Sequence, residues 1–456
     1  MTEPKFKHAR FLGAAGIGMS ALTKILAAKY PGVKISASDL SYESNDPLDD
    51  DIDLVVRSTA IAIGDLDYLE LKSRGLPIWH RRDMLSFLAQ DQKQIVVSGT
   101  HGKTTCSAML AHILVELGLD PSFAIGGILA NYSSNARAGK GQYFVMEGDE
   151  SDKSFTITNP YLALVTCIEA DHLENYPGGL EEIKNCFYKF LDAAEIAVVN
   201  TDDPHLNEYV IARIQGRQNT RSIVMTGSPV QTKQSNAKLI TYSSKELEDL
   251  DIELSMPGKY NQLNALACVK AAVALGANRE QAIQALKTFR GIERRFELIN
   301  ENYQGAKVYD DYAHHPTEVK ALVEGALSLN PKKMLFVYQP HHPERTQQFW
   351  DDFVKVFKEF PEPHSCLIAD IYVARSQHIN GVDSAHLVED IGKSNVKFLA
   401  PLDTGSTCQG NHADMVAALK PGIDQELAGH DYLFIVGAGN IAKVAEAFDS
   451  KNLQDA

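Results

Sequence analysis

The stretch Gln94-Ile95-Val96-Val97-Ser98-Gly99-Thr100-His101-Gly102-Lys103-Thr104-Thr105 constrains this chain more than any other. Apolar, β-branched residues give way to a glycine turn, and Met109, Ile113 and Leu117 then recur at four-residue spacing. The segment therefore reads as strand, loop, helix. Backbone N–H groups converging ahead of a helix N-terminus form an anion site, and Lys103 adds a point charge that can reach between phosphates. Thr104 sits where a hydroxyl can bind Mg²⁺. The strict G-x-x-x-x-G-K-[ST] pattern is not met, because its first glycine would fall at Val97; the shorter G-x-x-G-K-T-T remains. The competing reading is an ordinary strand-to-helix turn with an exposed lysine that adds little packing.

A chain of 456 residues is too long for one ordinary core and suggests two to four domains. The net charge of −15 argues against a surface that coats nucleic acid, yet leaves room for a small anionic ligand held by local donors. Six scattered cysteines without a C-x-x-C pair fit a reducing compartment. The N-terminus lacks an apolar block with a cleavage site, and no stretch is long enough to span a bilayer. The expectation is a cytoplasmic protein with neither nucleic acid nor membrane as partner.

Residues 9 to 90 read as a small α/β unit. Arg10-Phe11-Leu12 leads into Gly13-Ala14-Ala15-Gly16-Ile17-Gly18-Met19-Ser20, a helix through Leu22, Ile25 and Leu26 follows, and strands at Lys34–Ser38 and Leu54–Val56 complete the pattern. Glycines 13, 16 and 18 miss the G-x-G-x-x-G spacing, but Asp39 stands about where a ribose-binding acid would. The stretch reads either as a nucleotide-diphosphate site or as a tight turn.

From residue 92 to about 292 the phosphate loop opens a second unit. Tyr143–Met146 ends in Glu147-Gly148-Asp149-Glu150-Ser151-Asp152, and Leu162–Val165 leads to Glu169-Ala170-Asp171-His172. Carboxylates at strand ends are costly unless solvated or neutralised, and ligands of open parallel sheets sit beyond those ends. Two acid-bearing strand ends beside a phosphate loop suggest Mg²⁺, a hard ion that takes oxygen ligands; the alternative is helix-capping or surface acids. A further strand, Ile196–Val199, precedes residues 211 to 250, which are polar and irregular and carry no readable motif. Pro257 to Asn264 then opens an alanine-rich helix on which Asn261 and Asn264 share a face, suited to base recognition or to capping.

The last third repeats the alternation. Lys307–Tyr309 runs into Asp310-Asp311-Tyr312-Ala313-His314-His315, Met334–Tyr338 into Gln339-Pro340-His341-His342-Pro343-Glu344-Arg345, and Leu433–Val436 into Gly437-Ala438-Gly439-Asn440. Adjacent histidines in an extended chain point to opposite sides, so chelation by either histidine pair is not expected.

Taken in order, these motifs resemble the Mur ligase family, the ATP-dependent amino-acid ligases that build the peptidoglycan stem peptide of the bacterial cell wall. The resemblance covers nearly the whole chain and rests on Gly99–Thr105, Asp149–Asp152, Glu169–His172, Gly291–Phe296, Asp310–Glu318 and Gln339–His341. It implies an α/β chain of three domains. A Rossmann-like domain over 1–91 would hold a UDP-sugar, and a central P-loop ATPase-like parallel-sheet domain over 92–292 would hold ATP. A mobile Rossmann-like domain over 293–456 would bring the amino acid. Within the family the motifs are most similar to the branch that joins L-alanine to UDP-N-acetylmuramate, with the branch that attaches a recycled tripeptide to the same UDP-sugar as runner-up. A nicotinamide-dependent dehydrogenase, resting on Gly13 to Asp39, is the reading from another class.

Residue by residue, the resemblance implies that Gly99, Thr100, Gly102, Lys103, Thr104 and Thr105 cradle ATP, with Lys103 on its phosphates. Thr104, Glu150 and His172 would hold Mg²⁺, Asn261 and Asn264 would meet the adenine, Arg295 the γ-phosphate and Asp311 the ribose. Gly13, Gly16, Gly18, Met19, Ser20 and Asp39 would bind the UDP-sugar, and Tyr312, His314, His342 and Arg345 would face the amino acid. Lys103, Glu150, His172, Arg295 and His314 form the implied catalytic set. Four positions depart from the alanine-adding pattern or its sisters: Ala15 replaces a glycine, Tyr260 a histidine, and His342 the arginine of Gln-Pro-His-Arg, while Phe187 falls near a lysine that sister ligases carbamylate.

Overall fold

The computed structural model describes the chain apart from residues 1–2, 40–45, 152, 154, 156–159, 216–236, 250–251, 253, 374–377, 402–411 and 453–456. Asp152 and Cys408 therefore lie outside the described residues. Among the described residues three sheets account for the strands, one in each of the three segments the motifs suggest. By compactness the chain divides into two units, residues 1–255 with 262–290 and residues 256–261 with 291–456.

The first unit holds two sheets. Strand β1 (His8–Leu12), helix α1 (Ile17–Lys29), β2 (Lys34–Ser38), β3 (Leu54–Arg57), α2 (Leu66–Ser73), β4 (Ile78–His80) and α3 (Arg81–Ala89) form a parallel sheet in the order β2-β1-β3-β4. Alternation along β1 sends Ala9 and Phe11 into a large core with Leu22, Ile25 and Leu26 of α1, while Leu12 joins Val55, Tyr68 and Leu71 on the opposite face.

The second sheet grows from β5 (Lys93–Ser98), α4 (Lys103–Glu116), β6 (Ser122–Leu129), β7 (Ser134–Arg137), β8 (Tyr143–Glu147), β9 (Leu162–Val165), α5 (Gly179–Ala193), β10 (Ile196–Asn200), α6 (Pro204–Ile214) and β11 (Lys238–Tyr242). Helices α7 (Lys259–Ala274) and α8 (Arg279–Lys287) follow. Its order is β11-β10-β9-β5-β8-β6-β7, parallel except for the β6–β7 hairpin at one edge. Ile95–Ser98 of β5, Tyr143–Met146 of β8 and all of β9 are continuous buried runs, as a sheet covered on both faces requires. The expectation of an irregular stretch over 211–250 is corrected at both ends. Residues through Ile214 continue α6, and Lys238–Tyr242 pairs with β10 as an edge strand, where one-sided burial permits a polar sequence without a clean period.

The second unit carries β12 (Glu297–Tyr303), β13 (Ala306–Asp311), α9 (Pro316–Ser328), β14 (Met334–Tyr338), α10 (Pro343–Gln348), α11 (Trp350–Lys358), β15 (Ser365–Ile368), α12 (Ser384–Ile391), β16 (Val396–Phe398), α13 (His412–Leu427), β17 (Tyr432–Val436) and α14 (Ile441–Glu446). The sheet order is β12-β13-β17-β14-β15-β16, with only β12 antiparallel. The order reverses between β13 and β14, which flank β17, so residues 312–315, 339–342 and 437–440 leave the sheet at neighbouring carboxyl ends. That is where open α/β sheets place ligands. No helix among the described residues is long and apolar enough to cross a membrane.

Candidate active site

The phosphate loop is built on two glycines that no other residue could replace without strain. Gly99 has φ +128°, and a Cβ there would stand 2.2 Å from Thr166 Oγ1 and 3.0 Å from the Thr166 nitrogen. Gly102, at φ +82°, is the N-cap of α4, which starts at Lys103. The adjacent strand end braces the loop: Thr100 N–H donates to the Cys167 carbonyl at 3.0 Å, and Glu169 N–H donates to Thr100 Oγ1 at 2.8 Å. Thr104 and Thr105 are buried in the first turn of α4.

Lys103 is not the exposed loop lysine of the simpler reading. Its ammonium donates to the Gly99 carbonyl at 2.7 Å, the Thr100 carbonyl at 3.1 Å and Glu150 Oε1 at 2.8 Å. Its side chain is 17% exposed and that of Glu150 5%. Burial works against the ammonium, but the charges of Glu150, Asp149 and Glu147 outweigh it and its pKa is raised. Burial also lifts the Glu150 pKa, against the pull of Lys103. The second oxygen, Oε2, is buried with no hydrogen-bond partner. A buried carboxylate oxygen left this way is a candidate for a cation.

At the end of β8, Glu147 accepts the Gly126 N–H at 2.6 Å, Asp149 pairs with Arg81 at 2.8 Å, and Glu150 pairs with the loop lysine at 2.8 Å. Each of these acids thus meets a different donor brought in from elsewhere in the unit. His172 sits at φ +53° ahead of a short 3₁₀ turn, one ring nitrogen 3.6 Å from Asp171 and the other 3.5 Å from Glu174. Tyr176, just after that turn, donates its hydroxyl to the Glu150 carbonyl at 2.6 Å.

At the first sheet, Gly13 has φ +82°, and a Cβ there would meet Ser58 Cβ at 2.9 Å. Its N–H donates to the Ser38 carbonyl at 2.8 Å. Gly16 is the N-cap of α1, and Gly18 and Met19 lie in its first turn, with Met19 buried. Asp39 accepts the Ala15 N–H at 2.9 Å, so this carboxylate shapes the glycine loop itself. Ser20 Oγ donates to the Ile17 carbonyl and accepts from Asn135 Nδ2 at 3.0 Å. Asn135 also donates to the Ile17 carbonyl at 2.6 Å and accepts from Lys24 at 2.8 Å. It buttresses the start of α1 from β7, and no local signal marked it.

Both asparagines lie on α7. Asn261 Nδ2 donates to the Pro257 carbonyl at 3.0 Å. Asn264 accepts from Cys106 Sγ at 3.3 Å, while its Nδ2 is buried with no hydrogen-bond partner. Neither side chain caps the helix N-terminus.

In the second unit, Arg294 and Arg295 both lie over the Tyr312 ring, at 4.9 and 5.0 Å from its centroid. Asp311 accepts backbone N–H groups of Phe296 and Ala313, each at 2.7 Å, so it braces the turn that carries Arg295. Burial pushes the pKa of Asp311 up to about 6, against Arg295, and that of Asp310 up to about 7, against Arg294. His314 Nδ1 lies 3.1 Å from the Tyr312 carbonyl, which can only accept, so this nitrogen carries the proton and Nε2 is left as an acceptor. Burial pushes its pKa down to about 4, with Glu318 opposing and Arg345 assisting.

The premise that adjacent histidines diverge is corrected at His341 and His342. His342 has φ +67°, the backbone is not extended there, and the two rings stand 4.1 Å apart. His341 also stacks on Tyr372 at 5.5 Å and lies 6.0 Å from His314. Arg345 lies in the first turn of α10, which His342 precedes. The second unit thus gathers Tyr312, His314, His341, His342 and Arg345 at the carboxyl ends of β13 and β14.

The first unit thus carries a glycine loop and a loop with a buried lysine and acid, and the second unit carries an aromatic, histidine and arginine group at its strand ends. Residues 97–272 match the Mur ligase middle domain, and residues 294–439 the Mur ligase, glutamate ligase domain. The chain belongs to the Mur ligase family. It is 33% identical to a UDP-N-acetylmuramate–L-alanine ligase of Geobacter sulfurreducens over 98% of both chains, and 33% identical to one of Aquifex aeolicus over the same shares. Its fold is similar to that of the UDP-N-acetylmuramate–alanine ligase of Thermotoga maritima, with a TM-score of 0.72 at 23% identity over 98% of this chain and 100% of that one. A murein peptide ligase of Psychrobacter arcticus gives 0.63 at 20% identity over 97% and 98%. These matches set the dehydrogenase reading aside.

Proposed function

We propose that this protein is an ATP-dependent ligase that joins L-alanine to the lactyl carboxylate of UDP-N-acetylmuramate in peptidoglycan synthesis. The observation that carries the reading is identity of about one third, end to end, with relatives of that name. The intact phosphate-loop lysine and its acid support it. The domains at 1–91, 92–292 and 293–456 would hold UDP-sugar, ATP and amino acid in turn.

A carboxylate is a poor acylating agent, so an oxygen of the lactyl carboxylate attacks the γ-phosphorus of ATP and ADP leaves. The amine of alanine then attacks the acyl carbon, inorganic phosphate leaves, and the amine loses a proton. Lys103 would move from Glu150 to the transferring phosphoryl, where a preorganised cation offsets the charge spread over its oxygens. The buried, unpartnered oxygen of Glu150 fits a hard cation, and Thr104, Glu150 and His172 would hold Mg²⁺, which when bound neutralises phosphoryl charge. Asn264, with its buried Nδ2, offers a donor toward adenine, and Asn261 lies one turn earlier on the same helix. Arg295 would meet the γ-phosphate, and Asp311 would place Arg295 as well as meet the ribose. His314, neutral at pH 7, presents Nε2 as an acceptor for the amine, and Arg345 pairs with the amino-acid carboxylate.

The test is phosphate release with ATP, Mg²⁺, UDP-N-acetylmuramate and a panel of amino acids and the tripeptide. Turnover should need all four components, with L-alanine best. Preference for the tripeptide would replace this reading with the recycling one.

A further inference from the structure

Arg81 belongs to none of the motifs, yet it stands between the glycine loop of the first sheet and the acids of the second. It opens α3, whose start is set by a capping box: His80 accepts from the Arg82 N–H at 3.4 Å, and Asp83 accepts from the His80 N–H at 2.8 Å. From there Nη2 donates to Asp149 Oδ2 at 2.8 Å. Nη1 lies 3.2 Å from the point where a Cβ on Gly18 would stand, in the first turn of α1. The guanidinium thus closes on the third glycine of the loop, where an added Cβ would need it to shift by a few tenths of an ångström. Asp149 orients that guanidinium.

We propose that Arg81 is a substrate-positioning residue that takes the diphosphate of the UDP-sugar at the first turn of α1. This deepens the functional reading and rests on it. A guanidinium presents a planar fork that matches phosphate oxygens, and one edge of this fork is already fixed by a carboxylate. The anion it holds is thereby set beside the strand end that carries Glu150.

Calorimetric titration of UDP-N-acetylmuramate, UDP, uridine and ATP, each alone, tests the assignment. Arg81→Ala should weaken UDP-N-acetylmuramate and UDP by about tenfold to a hundredfold, the scale of one charged hydrogen bond. Uridine and ATP should shift less than threefold, and Arg81→Lys should recover only part of the loss. Arg81→Met with Asp149→Asn removes the pair together, leaves no bare carboxylate, and should lose UDP affinity equally. Unchanged UDP affinity in either variant overturns the proposal, as does a loss confined to UDP-N-acetylmuramate, which would move the contact to the sugar. A wild-type protein that binds neither UDP nor the UDP-sugar overturns the substrate reading and this assignment with it.

Discussion

Replacing Lys103 with methionine keeps the stem of the side chain and removes the ammonium. It leaves the Gly99 and Thr100 carbonyls without that donor, and Glu150 without its ion-pair partner while Oε2 already lacks a hydrogen-bond partner. Removing one member of a buried ion pair costs about 3–5 kcal/mol, and with both side chains largely buried little of that is lost to solvent screening. The cost has a ceiling, because Glu150 can protonate instead. The penalty for that is about 1.4 kcal/mol per pH unit above the unfolded carboxyl pKa of about 4.3, so about 1 kcal/mol at pH 5 and about 5 at pH 8. The sign follows from the raised folded pKa of Glu150, which rises further once the lysine is gone. Below the unfolded pKa the carboxyl is neutral in both states and the variant carries no electrostatic penalty. As pH climbs through the window the penalty grows. Lys103→Met should therefore lose about 3 kcal/mol or more at pH 8 and about 1 kcal/mol at pH 5. Urea unfolding without nucleotide, at both pH values, reads this directly. Lys103→Met with Glu150→Gln should regain most of the loss at pH 8. A deficit equal at the two pH values, or a double variant no more stable than the single, would refute a buried pair at this loop.

Three further outcomes follow from the geometry. Gly99→Ala combines a left-handed φ with a clash against Thr166, and should destabilise by about 3 kcal/mol or more in urea. Adding Thr166→Ala should recover only part, since the Thr166 nitrogen also lies 3.0 Å from that Cβ. Arg10 is fully buried on β1 with Nε and Nη1 lacking hydrogen-bond partners and a single 3.4 Å contact to Asp67. Arg10→Met should stabilise the protein by about 1–3 kcal/mol, and a lowered urea midpoint would show that the guanidinium is compensated. His342→Arg supplies a two-point fork where imidazole offers at most one donor. It should lower the KM for L-alanine about tenfold, the worth of one charged hydrogen bond; an unchanged KM means that this position does not read the carboxylate.

What could be read locally was read well. The runs at Lys93–Ser98, Tyr143–Glu147, Leu162–Val165 and Tyr432–Val436 are strands because their apolar, largely β-branched or aromatic stretches suit a sheet covered on both faces. Gly13, Gly99, Gly102 and Gly437 fall where the chain takes a positive φ, so their identity alone marked the turns that end β1, β5 and β17. Edge elements were less legible. The β6–β7 hairpin, β11 and β12 are part-exposed on at least one side, and half-buried strands need no continuous apolar run.

The partners of the charged side chains were settled only in three dimensions. Sequence placed Lys103 on a loop and supplied acids beside it, but whether the lysine is solvated or buried depends on where the segment after β8 carries Glu150. Arg81 and Asp149 are separated by 68 residues, and Asn135 reaches Ile17 across 118. The divergence expected of His341 and His342 failed for a similar reason: a single positive φ at His342, where the chain turns into α10, brings their rings together. Periodicity and turn chemistry report the conformation of neighbouring residues. Contacts between distant strand ends follow from sheet order and register, which no local period encodes.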